Sequence, residues 1–156
     1  MACAFLPLFA APTIMQPNQS AELSRFVQAQ DEVYDTVLSE LRSGRKTSHW
    51  MWFVFPQFAG LGTSEISQFY AIKSIGEARA YLEHPILGPR LTECSEALLS
   101  IRGRSAREIF GSPDDMKLKS CMTLFASISP VGSVFEKVLD HYYNGERDDR
   151  TLRLIN

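Results

Sequence analysis

The stretch "SHWMWFVFPQFAGLG", residues 48–62, holds two tryptophans and three phenylalanines around one proline. Its apolar run, 50–55, is too short for periodicity to distinguish a buried strand from one or two turns of helix. Pro56 ends the run in either case, because proline has no N–H and restricts the residue before it. Each aromatic side chain can bury about 150–250 Å². We therefore predict that this segment is the centre of the core, with Phe53 and Phe55 buried.

The polar members of the stretch are harder to explain by core packing. His49, Gln57 and the indole N–H groups of Trp50 and Trp52 all need hydrogen-bond partners if they are buried. A pocket with aromatic walls and a few convergent polar groups requires this mixture, whereas an apolar core does not. Two alternatives stay open for His49 and Gln57, which are either pocket residues or satisfied structural groups.

Outward from this stretch, the chain is punctuated as a series of helices. Apolar residues recur at helical spacing over 31–41, and Gly44 stands where a C-terminal cap is expected. The other caps and breaks that predict helix ends are Ser74 with Glu77, His84-Pro85, Ser105 with Glu108, Ser112-Pro113, Asn144-Gly145 and Asp148. No internal repeat is evident, and no strand pattern alternates over more than a few residues. The sequence predicts an all-α or nearly all-α domain of about six to eight helices around the aromatic-rich segment.

The N-terminal segment differs in composition from the rest. Its apolar run, 2–11, is too short to span a membrane and lacks the basic flank of a secretory signal. We expect a loosely attached arm over residues 1–22 and a single helical domain over 23–156. The sequence leaves open whether translation starts at Met1 or at Met15.

Composition excludes several classes of protein. A length of 156 residues favours one domain, and 45% hydrophobic with 22% charged residues is ordinary for a globular core. Sixteen basic and eighteen acidic side chains give a net charge of −2, which argues against nucleic-acid binding through an overall basic field. The cysteines Cys3, Cys94 and Cys121 are odd in number and form no CxxC, so neither a disulfide framework nor a zinc site is indicated. Cys94 and Cys121 fall on apolar helix faces, so we expect reduced core thiols and a cytoplasmic location.

Motifs of the common enzyme classes are missing. The sequence has no GxxxxGK[ST] loop and no GxSxG elbow. The stretch "GLGTSE", residues 60–65, lacks the third glycine of a dinucleotide fingerprint. Its N–H groups could hold an anion, but Glu65 already complements a helix start, so we favour a turn capped by Thr63 or Ser64. The three histidines lack any metal-ligand spacing, and we predict no metal and no cofactor.

Lys117 and Lys119 allow two interpretations. They stand three or four residues after Asp114 and Asp115, the spacing of surface ion pairs on a helix, and this interpretation is favoured. If one lysine instead folds over the aromatic pocket, it is the natural counter-charge for a phosphate.

Five stretches together resemble the domain of unknown function 1810 family over about residues 26–155. They are "QDEVYDTVLSELRSGRKTSHWMWFVFPQFAGLG", "FYAI", "EARAYLEHPILGPRL", "EIFGSPDDMKLKSCMTLF" and "TLRLI". The resemblance implies a small, mostly helical, cytoplasmic bacterial protein with no established activity. Family members are sometimes labelled calpastatin, a label that does not suit this chain, because calpastatin-like inhibitors are long, disordered and poor in aromatics. "HPILGPRL" and "SPDD" are more loosely similar to NADAR-type proteins, which process NAD- and ADP-ribose-related N-glycosides.

Two functions from different classes follow. The first is binding or processing of a nucleotide-like or ADP-ribose/NAD-related small molecule in an aromatic-walled pocket bordered by His49, Trp50, Trp52, Gln57 and Lys117. The second is a non-catalytic interaction domain that docks a partner protein through its Trp-rich patch. A concave cleft holding both tryptophans favours the first, and a flat exposed face favours the second. No catalytic residue is assigned, and the sequence leaves the reaction, the natural ligand and the oligomeric state open.

Overall fold

The structure, a computed structural model, describes residues 17–156. Within that range the chain forms ten helices and no strand, so the predicted all-α class is confirmed. The helices are α1 (Pro17–Asp31), α2 (Tyr34–Arg42), α3 (Met51–Val54), α4 (Glu65–Phe69), α5 (Ile75–Glu83), α6 (Leu87–Leu99), α7 (Ala106–Phe110), α8 (Asp114–Ser127), α9 (Val134–Tyr143) and α10 (Asp149–Ile155). Three of them, α3, α4 and α7, have only four or five residues. The number of longer helices is therefore seven, which lies within the predicted number of six to eight.

Local capping explains most of the helix ends. Ser105 and Glu108 form a complete capping box at the start of α7. The Ser74 hydroxyl accepts from the Glu77 N–H at the start of α5, but the Glu77 carboxylate pairs with Arg25 of α1 at 2.8 Å instead of returning to its own cap. At the end of α9, Asn144 adopts a left-handed φ of 55°. The predicted helix starts and ends are therefore correct where the capping residues are close to each other in the sequence.

The aromatic stretch forms a single helical turn. The N–H of Phe55, directly after α3, donates to the Met51 carbonyl at 3.0 Å, which is a helical hydrogen bond. The sequence left helix and strand open for this segment, and the structure shows a helix. Phe53 and Phe55 are both buried, as predicted. After the turn the chain makes an isolated parallel bridge between Phe58 and Ile72, which anchors the backbone that carries the basin described below.

Helix α8 is the centre of the fold. It packs against α7, α9 and α10, and its residues 118–126 are all buried. A helix that is buried on every side shows little amphipathic pattern, and that is why its polar residues Lys119, Ser120 and Thr123 lie inside the protein. The free thiols of Cys94 and Cys121 are buried in the core, as predicted.

The predicted N-terminal arm lies largely outside the described residues, as do Cys3 and Met15. Helix α1 begins at Pro17, and its Leu23 and Phe26 are fully buried in the core. The division into an arm and a domain stays a prediction. In the part of the chain that the structure describes, none of the helices combines the length and the apolar content needed to cross a bilayer.

Candidate functional site

An open depression of about 490 Å³ lies between the loop before α4, the start of α8 and the start of α10. We call it the basin. Its lining combines apolar, hydroxyl, amide and charged side chains, and comprises Gln57, Leu61, Gly62, Thr63, Ser64, Ser67, Pro113, Met116, Lys117, Ser120, Asp148 and Arg150. Its walls come from parts of the chain that are up to about ninety residues apart, so tertiary packing creates it.

Gln57 is held rigidly at the wall of the basin. Its carbonyl accepts from the Ile72 N–H at 2.8 Å, next to the isolated bridge. Its side-chain Nε2 donates to Ser120 Oγ at 2.6 Å. The Ser120 hydroxyl in turn lies 3.2 Å from the carbonyl oxygen of Met116 and 3.1 Å from that of Lys117, to which it can donate. These bonds fix the orientation of the Gln57 amide.

Lys117 lies over the indole of Trp52. A narrow recess of about 10 Å³ adjoins the basin and shares Gln57, Ser67 and Lys117 with it, and Trp52 lines this recess. The Lys117 ammonium is 5.2 Å from the Trp52 ring centroid, a cation–π distance. The same ammonium lies 3.5 Å from the Asp114 carboxylate. Both arrangements considered for Lys117 from the sequence, the pair on the helix and the fold over an aromatic ring, are therefore present together.

The opposite rim of the basin carries one acidic and one basic side chain. The Asp148 carboxylate caps α10, where it accepts from the Thr151 N–H at 2.9 Å and from the Thr151 hydroxyl at 2.6 Å. Arg150, in the first turn of the same short helix, is exposed at the rim. Lys117 and Arg150 are the cations that line the basin, and Asp148 is its carboxylate. Residues 17–156 contain no group of three or more His, Cys, Asp or Glu side chains arranged to hold a metal ion.

Trp50 lies in the core and does not line the basin. Its side chain is 1% exposed, and its ring packs against Phe55 and Phe110 with centroids 6.1 and 6.4 Å apart. Its indole N–H donates to Glu40 Oε1 at 3.2 Å. One of the four polar groups that prompted the pocket hypothesis is thus satisfied by a structural partner.

Glu40 is a structural residue that sequence reasoning missed. Its buried carboxylate accepts from the N–H groups of Thr47 and Ser48 at 2.6 and 2.9 Å, from the Ser48 hydroxyl and from Trp50. Burial raises the pKa of this carboxyl, but the hydrogen bonds outweigh burial and lower the pKa to about 2. A glutamate set inside the apolar stripe of α2, between Leu38 and Leu41, is the signal that could have revealed it.

The structure brings together three of the five residues proposed from the sequence. Trp52, Gln57 and Lys117 meet at the recess and the basin. His49 is exposed and lines neither the basin nor the recess, and Trp50 is in the core. Sequence reasoning missed Ser67, Ser120, Met116 and Arg150, because nothing in their local patterns links them to the aromatic stretch.

Comparisons with known proteins identify a family and one similar solved structure. The model of a family described as "Protein of unknown function (DUF1810)" matches residues 20–155. The crystal structure of the conserved hypothetical protein Rv1873 from Mycobacterium tuberculosis is similar, with 53% sequence identity, a TM-score of 0.84, and coverage of 86% of this chain and 96% of that one. No curated protein matches the chain. The resemblance deduced from the quoted stretches is confirmed, and none of the comparisons bears on the similarity to NADAR-type proteins.

Proposed function

We propose that this chain, which belongs to the DUF1810 family of proteins of unknown function, binds a small phosphate-bearing molecule of nucleotide type in the basin. The observation that carries the proposal is the convergence of Trp52, Gln57 and Lys117. These side chains come from α3, from the loop after it and from α8, yet Gln57 and Lys117 line the basin and Trp52 lines the recess beside it. A preoriented amide and an ammonium beside an aromatic ring are suited to an anionic ligand with a planar part.

The lining of the basin matches such a ligand in size and chemistry. Sites for small molecules enclose about 300–1,000 Å³, and the basin has about 490 Å³. Lys117 and Arg150 can neutralise a phosphate, while the Gln57 amide can donate or accept beside it. Met116 is 50% exposed and stands with Leu61 in the lining, so an apolar surface is available for a ring. A nucleotide-like or ADP-ribose/NAD-related molecule has both parts.

The alternative of a docking domain with a Trp-rich patch receives less support from the geometry. Trp50 is buried in the core, and Trp52 is half-buried in the recess under Lys117. The two indoles therefore do not share an exposed face. Hot spots for partner proteins are surface anchors that cluster in one patch, and these two side chains do not form one.

The test is isothermal titration calorimetry of the full chain with inorganic pyrophosphate, ADP, NAD and ADP-ribose. We expect at least one of them to bind and to raise the melting temperature. Replacing Lys117 by Met keeps the apolar stem on Trp52 but removes the charge, and we expect affinity to fall about tenfold or more, since charge-assisted hydrogen bonds are strong.

Two control variants accompany this experiment. Lys137→Met removes an exposed lysine of α9, outside the basin, and should leave binding unchanged. His49→Ala should also leave binding unchanged, because His49 lies away from the basin, and a loss of binding would return it to the site. The proposal fails if none of the four compounds binds, or if Lys117→Met binds as tightly as the unmodified protein.

A further inference from the structure

Two lysines share the carboxylate of Asp114 at the edge of the basin. Asp114 Oδ2 lies 3.0 Å from the Lys46 ammonium, and Asp114 Oδ1 lies 3.5 Å from the Lys117 ammonium. Each ammonium also lies over a tryptophan, with Lys46 5.1 Å from the Trp50 ring and Lys117 5.2 Å from the Trp52 ring. We call Lys46, Asp114 and Lys117 the triad.

The two ends of the triad differ in exposure. The Lys46 side chain is 8% exposed and belongs to the core side, next to the buried Trp50. The Lys117 side chain is 22% exposed and faces the basin. The shorter contact of Asp114 is with the buried lysine, and its longer contact is with the basin lysine. Asp114 can therefore release Lys117 and still keep an ammonium partner at 3.0 Å.

We infer that the Asp114 carboxylate competes with the anionic group of the ligand for the Lys117 ammonium. Because Asp114 stays paired with Lys46, the free-energy cost of giving up Lys117 is small. This inference rests on the proposed function. In the free protein the carboxylate holds the Lys117 ammonium at the basin wall. A ligand phosphate pairs with that ammonium in place of Asp114, and the Lys46 ammonium alone then neutralises the Asp114 carboxylate. Asp114 is thus a positioning residue that sets how strongly the basin attracts anions.

The charge of the triad also specifies the class of ligand. The three cations Lys46, Lys117 and Arg150 and the two carboxylates Asp114 and Asp148 leave one net positive charge at the basin, because a capping carboxylate keeps its charge. The attraction of a ligand to a fixed positive potential grows with the charge of the ligand. The basin therefore favours multiply charged phosphates, such as a diphosphate group, over singly charged anions.

The experiment measures inorganic pyrophosphate and orthophosphate binding to the full chain and to Asp114→Asn by calorimetry. The substitution removes the competing charge and keeps the shape of the side chain. We expect pyrophosphate to bind about two- to fivefold more tightly, the range that a partly exposed ion pair supports. The gain should be larger for pyrophosphate than for orthophosphate, which a merely structural change would not produce. Thermal unfolding of the same variant reports separately on the loss of the partner of Lys46.

Lys46→Met supplies the opposite test. Without Lys46, Asp114 relies on Lys117, so pyrophosphate should bind about two- to fivefold more weakly. This effect should largely disappear in the double variant with Asp114→Asn, because Lys46 acts through that carboxylate. Lys137→Met again serves as the control.

The outcomes separate the two proposals. If the unmodified protein binds pyrophosphate and Lys117→Met abolishes binding, but Asp114→Asn binds no more tightly, the competitor role is wrong and the proposed function stands. If Asp114→Asn gains equally for both anions, the charge-selective role is wrong. If neither the unmodified protein nor Asp114→Asn binds any of the anions or nucleotides, both the proposed function and the inference fall.

Discussion

At the scale of single residues, the Glu40 carboxylate organises the turn that leads into the aromatic stretch. It receives two backbone N–H groups, one hydroxyl and one indole N–H, all from residues 47–50. Hydrogen bonds to a charged acceptor contribute about 1.5–3 kcal/mol each when both partners are well placed. One buried side chain on α2 therefore orients the segment that places Trp50 in the core and Trp52 at the recess.

We predict that Glu40→Gln lowers the free energy of unfolding at pH 7 by about 2–3 kcal/mol, because an amide presents a donor to a cluster of donors. The folded pKa of Glu40, about 2, lies below its ordinary value of 4.5. Its contribution is therefore present above pH 4.5 and is lost as the pH falls towards 2. Urea denaturation at a series of pH values measures this. If Glu40→Gln and the unmodified protein lose the same unfolding free energy between pH 4.5 and 2, this prediction is wrong.

At the scale of elements, the contact between α5 and α6 depends on a close approach of two backbones. A Cβ built on Gly88 of α6 would lie 2.0 Å from the carbonyl oxygen of Leu82, near the end of α5. The chain reverses there through His84-Pro85, and the His84 Nδ1 accepts from the N–H of Ile86 at 3.1 Å. Only a residue without a side chain lets the two helices meet at that separation.

Gly88→Ala should lower the free energy of unfolding by about 1–3 kcal/mol or more, because backbone must shift to admit the methyl group. Gly76→Ala is the matched control. Gly76 lies inside α5, where a Cβ would meet only the Ser74 hydroxyl at 3.7 Å. That substitution should stabilise the protein by about 0.5–1 kcal/mol through helix propensity. Thermal and urea unfolding compare the two, and equal effects would show that the close approach does not matter.

At the scale of the whole molecule, a chain of aromatic rings connects four helices through the core. Phe26 of α1 meets Tyr81 of α5 at 5.2 Å, Tyr81 meets Phe125 of α8 at 5.4 Å, and Phe125 meets Phe135 of α9 at 5.7 Å. Aromatic pairs at these centroid distances add about 0.5–1.5 kcal/mol beyond burial. This series of rings ties α1, α5 and α9 to the central α8.

Phe125→Ala should cost about 3–5 kcal/mol of unfolding free energy, as truncation of a buried aromatic does. Phe69→Ala is the control, because Phe69 is 57% exposed on α4, and its removal should change stability by about 0.5 kcal/mol or less. Denaturant titration followed by circular dichroism measures both. If the two variants unfold at the same urea concentration, the aromatic chain is not central to stability.

The sequence by itself determined the class of the fold and most of its helix ends. Ser105 with Glu108, and Asn144 with Gly145, were recognised because capping acts between residues that are neighbours in the chain. The burial of Phe53 and Phe55 followed from hydrophobicity alone. Part of the site was also predictable, since Trp52, Gln57 and Lys117 stand in the basin or its recess.

Only the tertiary structure decided which side of the aromatic stretch faces the basin. Successive residues of a helix are about 100° apart, so Trp50 and Trp52 point to nearly opposite sides of one turn. Nothing local says which side is covered, because the partners come from distant elements. Glu40 and Phe110 enclose Trp50, whereas Lys117 lies over Trp52 and leaves it beside an open surface. Two identical side chains therefore end as a core residue and as a residue that lines the recess, because long-range packing buries only one of them.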